Sequence, residues 1–204
     1  MARAIRWRDG LDLFWVLPFL TAVTFFLWPN LFEARDAKEA AYAMHIAGGT
    51  AVLFTGPFQF VAPLRNRYRR LHRAMGYLFI AGTALAIIGF AMILPLPFDV
   101  FLLSQMTALT LWGMATVAAL IAIRDRRVLT HQHNMARAFV IAAYFVLARL
   151  IDRYLMTWLE PFSSNEMARL AHSDWLAWVV PLVLVEIWFG LKWNRLLRAG
   201  RRSI

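Results

Sequence analysis

Six apolar stretches, each long enough to cross a lipid bilayer, take up most of this chain of 204 residues. A helix needs about 20 mostly apolar residues to span the ~30 Å hydrocarbon core of a membrane. The stretches cover residues 11–28, 41–62, 71–95, 101–123, 134–158 and 175–193. Hydrophobic residues make up 61% of the chain, against about 45–50% in soluble domains. We therefore predict an all-α fold, a polytopic membrane bundle of six transmembrane helices, with residues 1–204 in a single domain.

Basic residues are distributed unevenly between the two sets of loops. With the N-terminus placed in the cytoplasm, 17 of the 22 lysines and arginines fall on the inner side. Cytoplasmic loops of membrane proteins carry such an excess. The pattern predicts that both termini are cytoplasmic, with residues 1–10 and the basic tail 194–204 inside and the longest loop, 159–174, outside.

The first apolar stretch follows a basic segment, as the core of a signal peptide does. Its 18 residues exceed the roughly 7–15 of a usual signal core, and no A-x-A cleavage site follows them. We therefore expect an uncleaved membrane anchor.

The net charge of +10 can be explained by orientation in the membrane. No motif or soluble module is present to read nucleic acid, so we expect no nucleic-acid partner. Contact with anionic lipid headgroups at the cytoplasmic face is the expected second use of the arginines. The chain contains no cysteine, which excludes thiolate metal sites and cysteine nucleophiles.

Polar residues near the predicted cytoplasmic ends of two helices form the first candidate site. His72 and Arg73 open the third helix, and His131, His133 and Arg137 open the fifth. Positive helix ends keep imidazole neutral, and neutral imidazole ligates metal. We predict that His72 and His131 can hold haem iron, with His133 as the alternative ligand and Arg73 and Arg137 near the propionates. The alternative is that these side chains cap helices and contact lipid phosphate.

A second polar group lies toward the predicted outer face. Arg149 and Asp152 share one face of the fifth helix, and His45 lies in the first turn of the second. Such a cluster can bind an anion or carry protons. Alternatively, an Arg149–Asp152 ion pair simply locks two helices together. Glu186 stands apart, in the inner half of the last helix.

Small residues recur every four positions in the second helix, which predicts close helix packing. The predicted packing residues are Ala43, Ala47, Ala51 and Thr55, with Gly48 and Gly49 beside them. Ala138 and Ala142 form a similar pair in the fifth helix.

Several short motifs, in this order, resemble a bacterial family of membrane proteins known as domain of unknown function 2306. They are His45-Ile46, Gly56-Pro57-Phe58-Gln59-Phe60, Leu64-Arg65, Leu71-His72-Arg73-x-x-Gly76, His131-x-x-x-Met135-x-Arg137 and Arg149. The resemblance covers about residues 41–190. It implies a multi-pass protein of the bacterial inner membrane. The chain departs from the family pattern at Asn134, where tryptophan is usual, and at Tyr77, where arginine is usual.

A wider similarity, by analogy only, connects the histidine motifs to haem-bearing membrane proteins of the cytochrome b561 and ferric-reductase kind. Such an analogy implies at most one haem here. It would be a b-type haem, because the chain has no Cys-x-x-Cys-His attachment site.

The sequence contains no P-loop, no G-x-S-x-G and no His-Glu-x-x-His. Whether the protein is an enzyme therefore stays open. The function we favour is that of a binding or assembly-type membrane protein. The alternatives are a b-haem redox protein and a transporter of protons, anions or lipid.

Overall fold

The computed structural model describes residues 16–30, 39–94, 99–155, 161 and 165–201, and all of its regular structure over these ranges is helical. The predicted cytoplasmic N-terminus, 1–10, and the start of the first apolar stretch lie outside the described residues. The helices are α1 (Val16–Asn30), α2 (Glu39–Gln59), α3 (Ala62–Arg67), α4 (Arg69–Ile93), α5 (Val100–Arg124), α6 (Val128–Ala142), α7 (Tyr144–Tyr154) and α8 (Glu166–Arg201).

Among the described residues, four helical segments are long and apolar enough to cross a membrane: Arg69–Ile93, Val100–Arg124, Val128–Tyr154 and Glu166–Leu191. A shorter apolar segment, Val16–Phe25, lies in α1. Many large apolar side chains on the four long segments are exposed rather than packed inside the protein. Exposed apolar faces are expected where lipid takes the place of water as the solvent. The chain is therefore an all-helical membrane protein.

The contacts of the chain fall into two compact units, Met1–Pro97 and Phe98–Ile204. We call them unit 1 and unit 2 and describe each by itself. Unit 1 contains α1 to α4, and unit 2 contains α5 to α8.

Unit 1 is built around a close approach of α2 and α4. A Cβ placed on Gly48 would lie 2.5 Å from the Gly82 carbonyl oxygen, and one on Gly89 would lie 2.6 Å from the Ala41 carbonyl oxygen. Real Cβ atoms do not approach so closely, so the backbones can meet only where the side chain is a hydrogen. Glycine thus fixes the distance between the two helices.

The predicted packing residues of α2 were partly wrong. Ala43 and Ala47 are exposed, and a Cβ on Gly49 would meet nothing within 4 Å. The buried face instead passes through Ala41, Gly48 and Val52. These positions repeat at intervals of seven and four residues, which is the stripe that one face of a helix presents. The motif of small residues was correctly located on α2, but its face was misassigned.

In unit 2, α5 packs against α6, and α8 contacts α5, α6 and α7. The predicted small pair Ala138 and Ala142 is buried, as expected for helix packing. The Trp178 indole Nε1 donates a hydrogen bond of 3.1 Å to the hydroxyl of Ser104, and both residues are buried. This bond ties α8 to α5.

Two helix boundaries in unit 2 differ from the prediction. The last helix begins at Glu166 rather than at 175. Its start is capped by Asn165, whose Oδ1 accepts from the backbone N–H of Met167 at 2.9 Å. The first turns of this helix are polar, so a prediction based on hydropathy places them in a loop. The predicted fifth helix begins at Val128 and is divided at Ala143 into α6 and α7.

Candidate functional site

The end of α2 and the start of α4 bring together two of the sequence motifs in unit 1. A Cβ on Gly76 would lie 3.5 Å from the Gln59 Oε1 atom, so the Gln59 amide lies against the Gly76 backbone. Gln59 is only 8% exposed. Its Nε2 has no hydrogen-bond partner among the described residues. A buried donor without an acceptor costs about 1–3 kcal/mol, so an acceptor placed at this amide would stabilise the protein.

Basic side chains surround this end of unit 1. His72 is half-buried and lies one turn before Gly76 on the same face of α4. Arg65 in α3 is half-buried, and Arg69 and Arg73 in α4 are exposed. The arginines and lysines of residues 62–76 are Arg65, Arg67, Arg69, Arg70 and Arg73, with no acidic residue among them. The segment that approaches Gln59 therefore carries five arginines and no acid.

His131, in the first turn of α6, forms a specific contact in unit 2. Its Nδ1 lies 2.9 Å from the Ala119 carbonyl oxygen of α5. Because a carbonyl oxygen can only accept, Nδ1 carries the hydrogen. A neutral ring then keeps its lone pair on Nε2. This is the arrangement that orients a metal-ligating histidine.

Arg137 has a partner that the sequence did not reveal. Its Nη2 donates to Glu186 Oε2 at 2.8 Å and its Nε donates to Glu186 Oε1 at 2.5 Å. Its Nη1 donates to the Asn134 side chain at 3.0 Å. Three of the five guanidinium N–H donors are thus in use, and the predicted contact of Arg137 with a haem propionate stays a prediction.

The other predicted haem residues divide between the units. His72 belongs to unit 1 and His131 to unit 2, so their predicted facing across a haem stays a prediction. His133, the alternative ligand, stacks on Phe189 with ring centroids 3.7 Å apart. No group of three or more histidine or acidic side chains suited to a metal ion occurs in the described parts of the chain.

His45, predicted for the outer polar group, is part of the α2–α4 contact. Its Nδ1 donates to the Ala86 carbonyl oxygen at 2.8 Å, and its ring lies 5.6 Å from that of Phe90. A Cβ on Gly89 would lie 2.5 Å from its backbone nitrogen. These contacts explain His45 as a residue that holds the two helices of unit 1 together.

The predicted ion pair between Arg149 and Asp152 does not form among the described side chains of unit 2. The Arg149 guanidinium is exposed and lies over the Phe145 ring at 5.3 Å. The Asp152 Oδ1 atom instead accepts a hydrogen bond of 2.7 Å from the Ser173 hydroxyl of α8. The two residues share a helix face, as predicted, but each has a different partner.

Asp174 is a buried acid that the sequence analysis assigned to the outer loop. It is 3% exposed and lies near the Ser104 hydroxyl. Its Oδ2 has no partner among the described residues. The Asn165-Glu166 pair, a cap followed by an acid, is the helix-start signal that could have placed Asp174 inside a helix.

Comparison with known proteins agrees with the motifs. A family model described as a predicted membrane protein, DUF2306, matches residues 42–189. This range covers more than half of the chain and agrees with the resemblance found from the motifs. No curated protein and no solved structure matches the chain. The chain therefore belongs to the DUF2306 family of predicted membrane proteins.

Proposed function

We propose that this protein crosses the bacterial inner membrane six times and binds an acidic lipid headgroup at the cytoplasmic end of unit 1. Both termini lie in the cytoplasm in this proposal. The four long apolar segments supply four of the crossings, and α1 and α2 supply the other two. At about 1.5 Å per residue, the 21 residues of α2 are long enough for the hydrocarbon core.

The orientation follows from the positive charges. The short α3 and the start of α4 carry Arg65, Arg67, Arg69, Arg70 and Arg73. The loop between α5 and α6 carries Arg124, Arg126 and Arg127. Cytoplasmic loops attract such clusters, and each arginine near an anionic leaflet contributes about 1 kcal/mol of attraction.

The observation that carries the proposal is the Gln59 amide. Its Nε2 is a buried donor without an acceptor in the described structure, and it lies where the α2 and α4 motifs meet. The phosphate of a lipid headgroup supplies acceptor oxygens and negative charge together. It would satisfy Gln59 and be attracted by Arg65 and Arg69.

Native mass spectrometry of the purified protein tests this proposal. We expect wild type to retain phosphatidylglycerol, and Gln59→Leu to lose most of it. Gln132→Leu is the matched control, because Gln132 is a half-buried glutamine near the predicted cytoplasmic end of unit 2. Arg69→Gln, at an exposed position, should weaken retention even if Gln59→Leu folds poorly. Equal lipid retention by all four proteins would contradict the proposal, and so would retention of inorganic phosphate alone.

A b-type haem is the second candidate function, favoured by the His131 contact. The bond from Nδ1 to Ala119 leaves Nε2 of a neutral ring available as a ligand. The visible absorption spectrum of protein from haem-replete cells is the test. A Soret band that disappears in His131→Ala supports haem, and a colourless preparation contradicts it.

A further inference from the structure

Three helices of unit 2 contribute to a polar cluster that the lipid proposal does not use. Asp174 and Ser173 lie on α8, Ser104 on α5 and Asp152 on α7. Ser104 and Ser173 are 0% and 1% exposed, and Asp174 is 3% exposed. The candidate spans Val100–Arg124 and Glu166–Leu191 contain three of these residues. Polar side chains at membrane depth are costly, so each should have a role.

The hydrogen bonds of the cluster leave one atom unsatisfied. Ser104 Oγ accepts from the Trp178 indole at 3.1 Å and lies near the Asp174 carboxylate. Ser173 Oγ donates to Asp152 Oδ1 at 2.7 Å. Each hydroxyl is thus in use. Asp174 Oδ2, in contrast, is buried and has no donor among the described residues.

A carboxylate is unfavourable as an anion when one of its oxygens is buried and accepts no hydrogen bond, because no donor compensates its charge. Asp152 is a second acid within electrostatic reach of Asp174. Arg149 is also within reach, but it is exposed and lies over Phe145. Tyr144 of α7 also lies within electrostatic reach of Asp174. On α5 the Ser104 hydroxyl lies near the carboxylate.

We propose that Asp174 is a proton-binding site inside unit 2, with the proton carried on Oδ2. The carboxylate takes one proton from hydronium, and water is released. The neutral carboxyl group then suits its buried position. Asp152, which is half-buried, is the second carboxylate of the site. Asp152 differs from Asp174 because its Oδ1 atom already accepts a hydrogen bond from the Ser173 hydroxyl.

Carbodiimide labelling tests the site directly. Dicyclohexylcarbodiimide dissolves in the membrane and reacts with protonated carboxyl groups. The carboxyl proton moves to a carbodiimide nitrogen, and the carboxyl oxygen bonds to the central carbon. We expect peptide mass spectrometry of the full protein in liposomes to find the adduct on Asp174. Above the titration midpoint, labelling should fall about tenfold for each pH unit, as the protonated fraction does.

Two variants and one competition complete the test. Asp174→Asn should abolish the adduct, and Asp99→Asn should leave it unchanged, because Asp99 is an exposed residue at the start of α5. Infrared spectroscopy should show a protonated carboxyl band that is lost in Asp174→Asn but not in Asp99→Asn. Absence of an adduct on Asp174 at every pH would overturn the proposal. Protection of Asp174 by sodium at constant pH would also overturn it, because the site would then bind a metal cation.

Discussion

Arg137 of α6 and Glu186 of α8 form a bidentate ion pair, with Nη2 to Oε2 at 2.8 Å and Nε to Oε1 at 2.5 Å. Arg137 lies nine residues into α6, or about 14 Å along the helix at 1.5 Å per residue. The third guanidinium nitrogen, Nη1, donates a hydrogen bond to the Asn134 side chain. Both charges occur on segments apolar enough to cross a membrane. The pair thus allows each to occupy a position where a single charge would be costly.

The ion pair should stabilise unit 2 measurably. The side chains of Arg137 and Glu186 are 35% and 45% exposed. We expect a coupling energy of about 1–2 kcal/mol, above the roughly 0–1 kcal/mol of fully exposed pairs, because both side chains are partly buried. A double-mutant cycle of Arg137→Ala and Glu186→Ala, measured by unfolding in detergent, gives this value.

The Asp125–Arg127 pair is the matched control for that cycle. Its atoms are 2.7 Å apart, but its side chains are 56% and 53% exposed. The same cycle on these residues should give a coupling energy near zero. A coupling energy for Arg137–Glu186 no larger than this control would show that the pair adds nothing to stability.

The α2–α4 contact should be sensitive to a single methyl group. Gly48→Ala places a Cβ 2.5 Å from the Gly82 carbonyl oxygen, so the helices must separate, at a cost of about 1–3 kcal/mol or more. Gly49→Ala meets nothing within 4 Å and should be neutral or slightly stabilising, because alanine favours a helix over glycine. Thermal unfolding of both variants distinguishes the two positions. Equal melting temperatures would mean that α2 and α4 do not approach as closely as described.

The proposed orientation is accessible to cysteine labelling, since the natural chain has no cysteine. Arg67→Cys, at an exposed position in α3, should react with a membrane-impermeant maleimide only after the cells are opened. Ser164→Cys, in the predicted outer segment, should react in intact cells. The opposite pattern would reverse the arrangement and place the arginine-rich end of unit 1 outside.

The sequence predicted the helical membrane fold and the family well, because both depend on long apolar stretches and on contiguous motifs. It predicted helix faces less well. On α2 the small residues are so frequent that periodicity alone does not distinguish Ala47 from Gly48. Only the path of α4 decides which one is buried, and the structure shows that it is Gly48.

The polar sites were predictable only in part. Gln59 and Gly76 belong to motifs that the sequence singled out, but their contact depends on how α2 and α4 pack. The Arg137–Glu186 pair joins residues 49 positions apart, and no local pattern connects them. Asp174 was assigned to a loop, because the polar first turns of α8 lower its hydropathy. The first two misses concerned contacts between helices, and the third concerned the start of a helix.

Lipid-dependent thermal stability tests the central claim, that the Gln59 end of unit 1 binds an acidic headgroup. A ligand present at 100 times its Kd stabilises the folded state by about 2.7 kcal/mol. We predict that phosphatidylglycerol raises the melting temperature of wild type and of Gln132→Leu in a saturable way, whereas phosphatidylcholine does not. Gln59→Leu should lose most of this shift. An equal shift in Gln59→Leu and wild type, or an equal response to both lipids, would contradict the account.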